Sequence, residues 1–98
     1  MAAQRYETKE KASLEIYGKG GQVIAHVRNL SMTGALIEWT QEDATIEKGD
    51  LVRMTVILKT VNRRHNVNAE VVWRDGKKSG LNFIKTDEVL EKMMDRGI

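Results

Sequence analysis

Apolar and polar residues alternate with a period of two along most of this chain. Two apolar rows open the pattern: Ala12, Leu14 and Ile16, then Val23, Ala25 and Val27. A period of two is typical of a strand with one buried face. The sequence between the rows, Gly18 to Gly21, offers glycines that accept positive φ angles. The pattern therefore predicts two strands joined by a hairpin turn.

Four further segments alternate in the same way and predict four more strands. Their inward positions are Ala35, Ile37 and Trp39; Val52, Met54, Val56 and Leu58; Val67, Ala69, Val71 and Trp73; and Leu81 and Phe83. The polar sequences TQEDATIEKGD and TVNRRHN, and the Asp75-Gly76 pair, supply the links. Six strands with short links predict an all-β fold, a small six-stranded antiparallel β-barrel, because closure removes exposed sheet edges. Both tryptophans are interpreted as core residues.

The period changes to a helical one only at the C-terminal end. Thr86 or Asp87 can cap this helix, and the acidic residues Asp87 and Glu88 suit the positive end of its dipole. The helix carries an apolar stripe formed by Val89, Leu90, Met93 and Met94. The stripe predicts packing against the barrel. Contact with a second protein stays open as the alternative, since methionine adapts to many surfaces.

Composition narrows the range of functions. The chain has 98 residues, of which 41% are hydrophobic and 31% charged, so it suits one domain with a core and a solvated surface. The absence of Cys excludes disulfides, Cys-ligated zinc and thiol catalysis, and indicates a cytoplasmic protein. The first residues contain no apolar block, and the longest aliphatic run, Val56 to Leu58, is too short to span a bilayer. Neither export nor membrane insertion is expected.

Other candidate chemistry is weak. His26 and His65 have no further ligand at metal-binding spacing, so no metal site is expected. Ser31 lacks the Gly-x-Ser-x-Gly context and a positioned base, so the chain is not expected to be an enzyme. The net charge of +2 is too small to indicate general nucleic-acid binding. The sequence Arg63-Arg64-His65 is interpreted as a solvated hairpin tip.

The stretch NLSMTGALIEW places Asn29, Ser31 and Gly34 between two strands. One interpretation is structural: Asn29 and Ser31 cap a turn, and Gly34 adopts a backbone angle that other residues avoid. The other interpretation is a binding motif, Asn-x-Ser-x-x-Gly. A basic segment that contains Arg5 and Lys9 precedes the first strand and favours the second interpretation, since it supplies positive charge for an anionic ligand.

In this order of elements the sequence resembles a PilZ domain, the bacterial receptor module for cyclic di-GMP. The family's pattern is an N-terminal Arg-x-x-x-Arg, a hairpin, and then Asp/Asn-x-Ser-x-x-Gly at the third strand, which is complete here. The sequences IEKGDLVRMTVIL, NAEVVWRDG and SGLNFI resemble the family's last three strands, and the final helix resembles its usual tail. The resemblance covers roughly residues 5–94. We expect one PilZ-like domain over 1–98, with a flexible basic arm (1–11), a split barrel (12–84) and a helix (86–96).

The resemblance implies a non-catalytic receptor or adaptor of the bacterial cytoplasm, with cyclic di-GMP as ligand and no other cofactor. The arm would close over the nucleotide, because an arginine fork matches the O6/N7 edge of guanine or a phosphate. Asn29 would hydrogen-bond guanine, Ser31 would offer hydroxyl or backbone contacts, and Gly34 would allow close backbone approach. A downstream protein effector would then recognise the ordered surface.

The arm departs from the family's pattern at one position. Arg5 matches the first arginine, but Lys9 stands in place of the second. Lysine can meet a phosphate but cannot form a bidentate fork or stack flat on a base. A bidentate base contact is worth about 1–3 kcal/mol, so we expect affinity to be lowered by roughly one to two orders of magnitude. The alternative is a degenerate domain that binds no nucleotide and acts as a protein–protein adaptor.

Overall fold

The computed structural model describes residues 6–7, 10–40, 46–58 and 63–97. Its elements are β1 (Tyr6–Glu7), β2 (Lys11–Ile16), β3 (Gln22–Leu30), β4 (Gly34–Trp39), β5 (Leu51–Leu58), β6 (Arg63–Asp75), β7 (Lys78–Ile84) and α1 (Thr86–Arg96). Within these ranges no helix has the length and apolar character needed to cross a bilayer.

Strands β2 to β7 form a closed antiparallel barrel. Hydrogen-bonded neighbours follow the order β3-β2-β5-β6-β7-β4, and β4 pairs with β3 to complete the ring. Gly18, Gly20 and Gly21 in the β2–β3 hairpin have φ angles of 86°, 71° and 78°, as the sequence predicts for this turn. The prediction of a six-stranded antiparallel barrel with a C-terminal helix is confirmed.

Alternate residues of the six strands point inward and form one apolar core. Its fully buried members include Leu14, Val27, Ile37, Val52, Met54 and Val71. Trp39 is also buried, and its indole N–H donates to the Ser79 hydroxyl oxygen at 2.8 Å. Because Ser79 is buried as well, this bond satisfies two polar groups that have lost contact with water. The core also includes Ile46, although its neighbours in the sequence are polar.

Helix α1 contacts the barrel through one side of its apolar stripe. Val89 is buried against Leu51 and Ile84, and Met93 packs against the same cluster. Leu90 and Met94, the rest of the stripe, are 60% and 73% exposed. Two of the four predicted apolar residues, Val89 and Met93, therefore make the expected contact with the barrel.

Polar contacts hold the two ends of α1. At the C-terminal end of the helix, Arg96 and Lys92 form ion pairs with the Glu70 carboxylate of β6, at 2.8 Å and 3.5 Å. The predicted cap at the N-terminal end is wrong, because the N-cap residue is Lys85 and no side chain caps it. The Thr86 hydroxyl instead accepts a hydrogen bond from the Asn68 amide at 3.5 Å.

A β-bulge in β6 corrects the predicted position of Trp73. Val71 pairs with Leu81, but Trp73 pairs with Gly80, so Val72 is an extra residue in the ladder. An extra residue reverses the alternation of side chains beyond it. Trp73 consequently faces outward and is 41% exposed, and its prediction as a core residue is wrong.

A second bulge lies in β3. Val27 pairs with Ile37 and Asn29 with Leu36, which makes Arg28 the extra residue. Beyond this bulge Leu30 packs against the core, in the register of the buried Ala35. Asn29 is therefore turned to the outer face, where Leu36 lies beside it.

The basic sequence Arg63-Arg64-His65 is part of a strand. Strand β6 begins at Arg63, and Arg64 and His65 pair with Ile57 and Val56 of β5. The prediction of a hairpin tip at these residues is wrong because the β5–β6 ladder continues further than hydrophobic alternation indicates.

Substitution Ser79→Ala should destabilise the barrel by about 1–3 kcal/mol, because it leaves the buried Trp39 indole N–H without an acceptor. Urea unfolding measures the change. The matched control is Ser13→Ala, since Ser13 is only partly buried on the outer face of β2. Equal losses of unfolding free energy in the two variants would contradict this role for the Trp39–Ser79 bond.

Candidate functional site

The described part of the N-terminal arm lies beside the Asn-x-Ser-x-x-Gly motif. Tyr6 and Glu7 of β1 pair with Leu30 and Asn29 of β3. The Glu10 carbonyl accepts a hydrogen bond from the Val27 N–H at 2.8 Å, so Glu10, the residue before β2, also lies along β3. Arg5 and Lys9, the predicted basic ligands, lie outside the described residues. Arg5 directly precedes Tyr6 in the sequence.

Ser31 organises the turn between β3 and β4. Its backbone N–H donates to the Gly34 carbonyl oxygen at 3.0 Å. Its side-chain oxygen accepts hydrogen bonds from the N–H groups of Thr33 and Gly34, both at 3.2 Å. The hydroxyl thus caps the turn, as the structural interpretation predicts for Ser31, and fixes the path of the chain from Asn29 to β4.

Gly34 and Asn29 differ from that structural interpretation. Gly34 does not have the positive φ angle that was expected. It is needed for space, because a Cβ atom at residue 34 would overlap the carbonyl oxygen of Leu81 in β7. Asn29 lies within β3, and its side chain makes no hydrogen bond to the described residues. It is therefore not a turn cap.

A row of paired residues crosses the outer face of four strands at the motif. Asn29 pairs with Leu36, Leu36 with Gly80, and Gly80 with Trp73. In the next row Gly34 pairs with Asn82. Because Gly34 and Gly80 carry no side chains, the outer surface of the barrel is recessed between the flanking residues. The result is a cavity of about 330 Å³ lined by Asn29, Ser31, Leu36, Trp73, Gly80 and Asn82, among others.

Trp73 lies directly over Gly80. A Cβ atom at residue 80 would overlap the indole ring, so glycine is required for the ring to take this position. Alternation predicts Trp73 as a core residue and not as part of the site, because the sequence contains no signal for the bulge at Val72. The one available signal is Gly80 itself, since glycine inside a strand often marks a close approach.

Asn82 was also missed by the sequence analysis. It occupies an outward position of β7, is exposed, and makes no hydrogen bond to the described residues. Its place in the cavity depends on the pairing of β4 with β7, two strands that are far apart in the sequence. Periodicity gives the face of a strand but not its partner.

The described lining of the cavity carries no charged side chain. It offers carboxamides, hydroxyls and one indole, which suit a planar ligand with hydrogen-bonding edges. Within the described ranges no group of three metal-binding side chains comes together. Any negative charge on a ligand must therefore be balanced from outside this part of the lining.

An ion pair lies next to the cavity and anchors the bulge in β3. The Arg28 Nε donates to the Glu38 carboxylate at 2.8 Å. This hydrogen bond, together with the positive charges of Arg28 and Lys78, lowers the pKa of Glu38 below its ordinary value. Because Arg28 is the extra residue before Asn29, the pair holds the chain in the path that turns Asn29 outward.

Comparisons with known proteins identify the family of this chain. The sequence model of the PilZ domain family matches residues 2–98. The chain belongs to the PilZ family. No curated protein matches it.

Two solved structures have the same PilZ fold. The PilZ domain of CeSA from a cellulose-synthesizing bacterium superposes with a TM-score of 0.70 at 13% identity, over 94% of this chain and 92% of that one. The uncharacterized Legionella protein Lpg0364 superposes with a TM-score of 0.54 at 17% identity, over 95% and 96% of the two chains. At these identities the likeness supports the fold only.

The lowered pKa of Glu38 predicts a pH dependence of stability. A carboxylate whose pKa is depressed by folding stabilises the protein above its unfolded-state pKa, and this contribution is lost as the pH falls through the folded-state pKa. The destabilisation caused by Glu38→Gln should therefore be largest near neutral pH and shrink below about pH 4. Urea unfolding between pH 7 and pH 3 measures it.

The control for this prediction is Glu15→Gln. Glu15 lies on the outer face of β2 and accepts a hydrogen bond from the neutral Gln22 amide at 3.3 Å. The same pH profile in both variants would contradict the role assigned to the Arg28–Glu38 pair.

Proposed function

We propose that this PilZ domain is a non-catalytic receptor for cyclic di-GMP in the bacterial cytoplasm, which relays the nucleotide signal to a downstream protein effector. The observation that carries the proposal is the meeting of three features at one place. The β1 segment of the arm pairs with β3 at Asn29, the Ser31 turn follows, and the cavity opens between this turn and Trp73.

The cavity suits one base of the nucleotide. Its volume of about 330 Å³ lies at the lower end of the range for small-molecule sites. The exposed indole of Trp73 offers a stacking surface, which every purine can use. The free carboxamide of Asn29 supplies a donor and an acceptor for the guanine edge. Ser31 and Gly34 hold the backbone close to β7, so the base can lie low on the barrel.

The phosphates require positive charge that the described lining does not contain. We assign this part to the arm, with Arg5 on guanine or phosphate and Lys9 on phosphate. The pairing of Tyr6 with Leu30 supports the assignment, because Arg5 is the next residue along the arm. Lys9 in place of an arginine lowers the affinity, since an ammonium group makes no bidentate contact.

A second function is a protein–protein adaptor that has lost nucleotide binding. Its support is the exposed half of the helix stripe, Leu90 and Met94, which contacts no core cluster of the described barrel. The Glu70 ion pairs hold α1 on the barrel, so this apolar pair is presented on a fixed surface. Such an adaptor would bind its partner equally with and without nucleotide.

Titration calorimetry with cyclic di-GMP tests the receptor function, and Lys9→Arg sharpens the test. The wild-type chain should bind, and the variant should bind about 5- to 150-fold more tightly because a bidentate contact becomes possible. The matched control is Lys11→Arg, since Lys11 is exposed in β2 and pairs with His26, away from the cavity.

Two results would count against the receptor. No detectable heat at high micromolar nucleotide would reject it and favour the adaptor. An equal gain in affinity from Lys9→Arg and Lys11→Arg would show that residue 9 makes no specific contact with the ligand.

Trp73→Leu should weaken binding of cyclic di-GMP by about 1–3 kcal/mol, because the base loses its stacking surface. Calorimetry gives the affinity. The ligand-induced change in tryptophan fluorescence should also disappear, since the remaining Trp39 is buried. The matched control is Ile24→Ala, as Ile24 is 42% exposed on β3 and does not line this cavity. Unchanged affinity in Trp73→Leu would remove the indole from the site.

A further inference from the structure

A second groove crosses the outer face of the barrel, on the side away from the cavity. The cavity is centred on β4 and β7, whereas this groove lies on β3, β2, β5 and β6. Its volume is about 530 Å³. The charged residues in its described lining are Lys11, Glu15, Arg53 and Arg64. Since three of these four side chains are cations, the feature is a basic groove.

Strand pairing places short polar side chains on the floor of the basic groove. Ser13 of β2 pairs with Thr55 of β5, and Thr55 pairs with Asn66 of β6. The Thr55 hydroxyl donates to the Asn66 side-chain oxygen at 2.6 Å, which leaves the amide N–H groups of Asn66 as donors. Ser13 and Thr55 are partly buried and are shorter than the charged side chains around them. The floor therefore offers hydroxyl and amide groups to an anion.

The cations lie at the two ends of this floor. Lys11 and Arg64 each precede a floor residue by two positions, in β2 and β6, and so share one end. Arg53 precedes Thr55 by two positions in β5, which is antiparallel to both strands, so Arg53 lies at the other end. Four strand residues separate the ends, a distance of roughly 13 Å. All three cations are exposed.

A carboxylate also lines the basic groove, but it is turned to the edge. Glu15 pairs with Arg53 on one side and with Gln22 on the other. Its carboxylate accepts a hydrogen bond from the Gln22 amide at 3.3 Å, so the side chain leans toward β3 and away from Arg53. Each end of the groove therefore presents a guanidinium group to solvent.

The spacing of the two ends matches an extended peptide. Alternate side chains of an extended segment lie on the same side, so carboxylates at positions i and i+4 are also separated by roughly 13 Å. An arginine fork binds a carboxylate through two parallel hydrogen bonds. A third carboxylate, at position i+2, would lie above the hydroxyl and amide groups of the floor.

The pattern of charge favours an acidic peptide over nucleic acid. The net charge of the chain is only +2, and a nucleic-acid surface needs a stripe of cations along the phosphate backbone. The basic groove instead has cations at its two ends and neutral donors between them. Carboxylates suit such donors, because both of their oxygens accept hydrogen bonds.

We propose that the basic groove binds an extended acidic segment of the downstream protein effector. The inference rests on the proposed function only for the existence of a protein partner, which the receptor and the adaptor both need. Because the groove and the cavity lie on opposite sides of the barrel, the effector and the nucleotide can be bound together.

The first experiment is an NMR titration of the ¹⁵N-labelled chain with a capped peptide of four Glu-Thr repeats, in which threonine favours the extended form. The backbone amides of Ser13, Thr55 and Asn66 should shift. The shifts should saturate in the millimolar range, since exposed ion pairs are individually weak. Raising the ionic strength from about 0.05 M to about 0.5 M should weaken binding. A peptide of four Gln-Thr repeats is the uncharged control and should not bind.

The second experiment repeats the titration with the double variant Arg53→Gln/Arg64→Gln, which should bind the Glu-Thr peptide about 5- to 30-fold more weakly. The matched control is Lys48→Gln/Lys77→Gln. It makes the same change in net charge, at exposed lysines that line a separate cavity beside Trp73. Its affinity should stay within about twofold of the wild-type value. Thermal unfolding verifies that both variants are folded.

A cyclic di-GMP titration in the same spectra separates this inference from the receptor function, because the nucleotide should shift the amides of residues 29–34 instead. Nucleotide binding without a peptide-induced shift in the basic groove would overturn this inference and leave the receptor intact. Peptide binding in the groove without nucleotide binding would support this inference and reject the receptor.

Three further results would also overturn the inference. Equal binding of the Gln-Thr peptide would show that the groove does not recognise carboxylates. An equal loss of affinity in the two double variants would show a response to net charge alone. Tighter binding of an eight-nucleotide uridine RNA at the same amides would replace the acidic segment with nucleic acid.

Discussion

One extra residue in β6, Val72, reverses the direction of side chains between Val71 and Trp73. If Val72 were instead an ordinary paired residue of a regular strand, the indole would point into a barrel whose core already contains Trp39, and the outer face would lose its only described aromatic ring at the cavity. The second bulge, at Arg28, has the same effect on Asn29. Bulges often re-aim side chains next to functional sites. Here the two bulges lie on either side of β4 and β7, and each turns one wall of the cavity outward.

Two glycines, together with the two bulges, give the cavity its shape. Gly34 allows β4 to approach the Leu81 carbonyl, and Gly80 leaves room for the indole of Trp73. Each therefore has a packing reason that is independent of any ligand. Because Gly34 and Gly80 have no side chains, the floor of the cavity lies at these two positions. The cavity thus arises from requirements of strand packing, and this explains why a glycine in the motif is compatible with both a structural and a binding interpretation.

The sequence predicts the barrel because alternation decides which face of a strand is buried, and most strands here keep their alternation. Prediction from alternation fails where the pairing between strands is irregular. In the alternating pattern of the sequence, Trp73 falls on an inward position. The extra residue, Val72, becomes visible only in the pairing of β6 with β7. Ile46 is buried although its neighbours are polar, and a single apolar residue offers no period from which its burial could be predicted. Asn82 was missed because pairing between distant strands cannot be read from periodicity. Asn29, Ser31 and Gly34 could be grouped from the sequence because they are close in it, and they line one cavity. Their part in ligand binding stays a prediction, like that of Arg5 and Lys9.

The ion pairs at Glu70 connect the helix to the electrostatics of the cavity. Glu70 lies beside Asn82 in the outward row of β6 and β7, and an unpaired carboxylate there would repel a phosphate. Lys92 and Arg96 of α1 both contact it, so the helix neutralises this charge. Partly exposed pairs of this kind contribute little to stability, about 0–1 kcal/mol each. Their effect on the potential at the cavity edge is the larger consequence, because two cations surround one carboxylate. The position of α1 on the barrel therefore influences the electrostatic potential at the edge of the cavity.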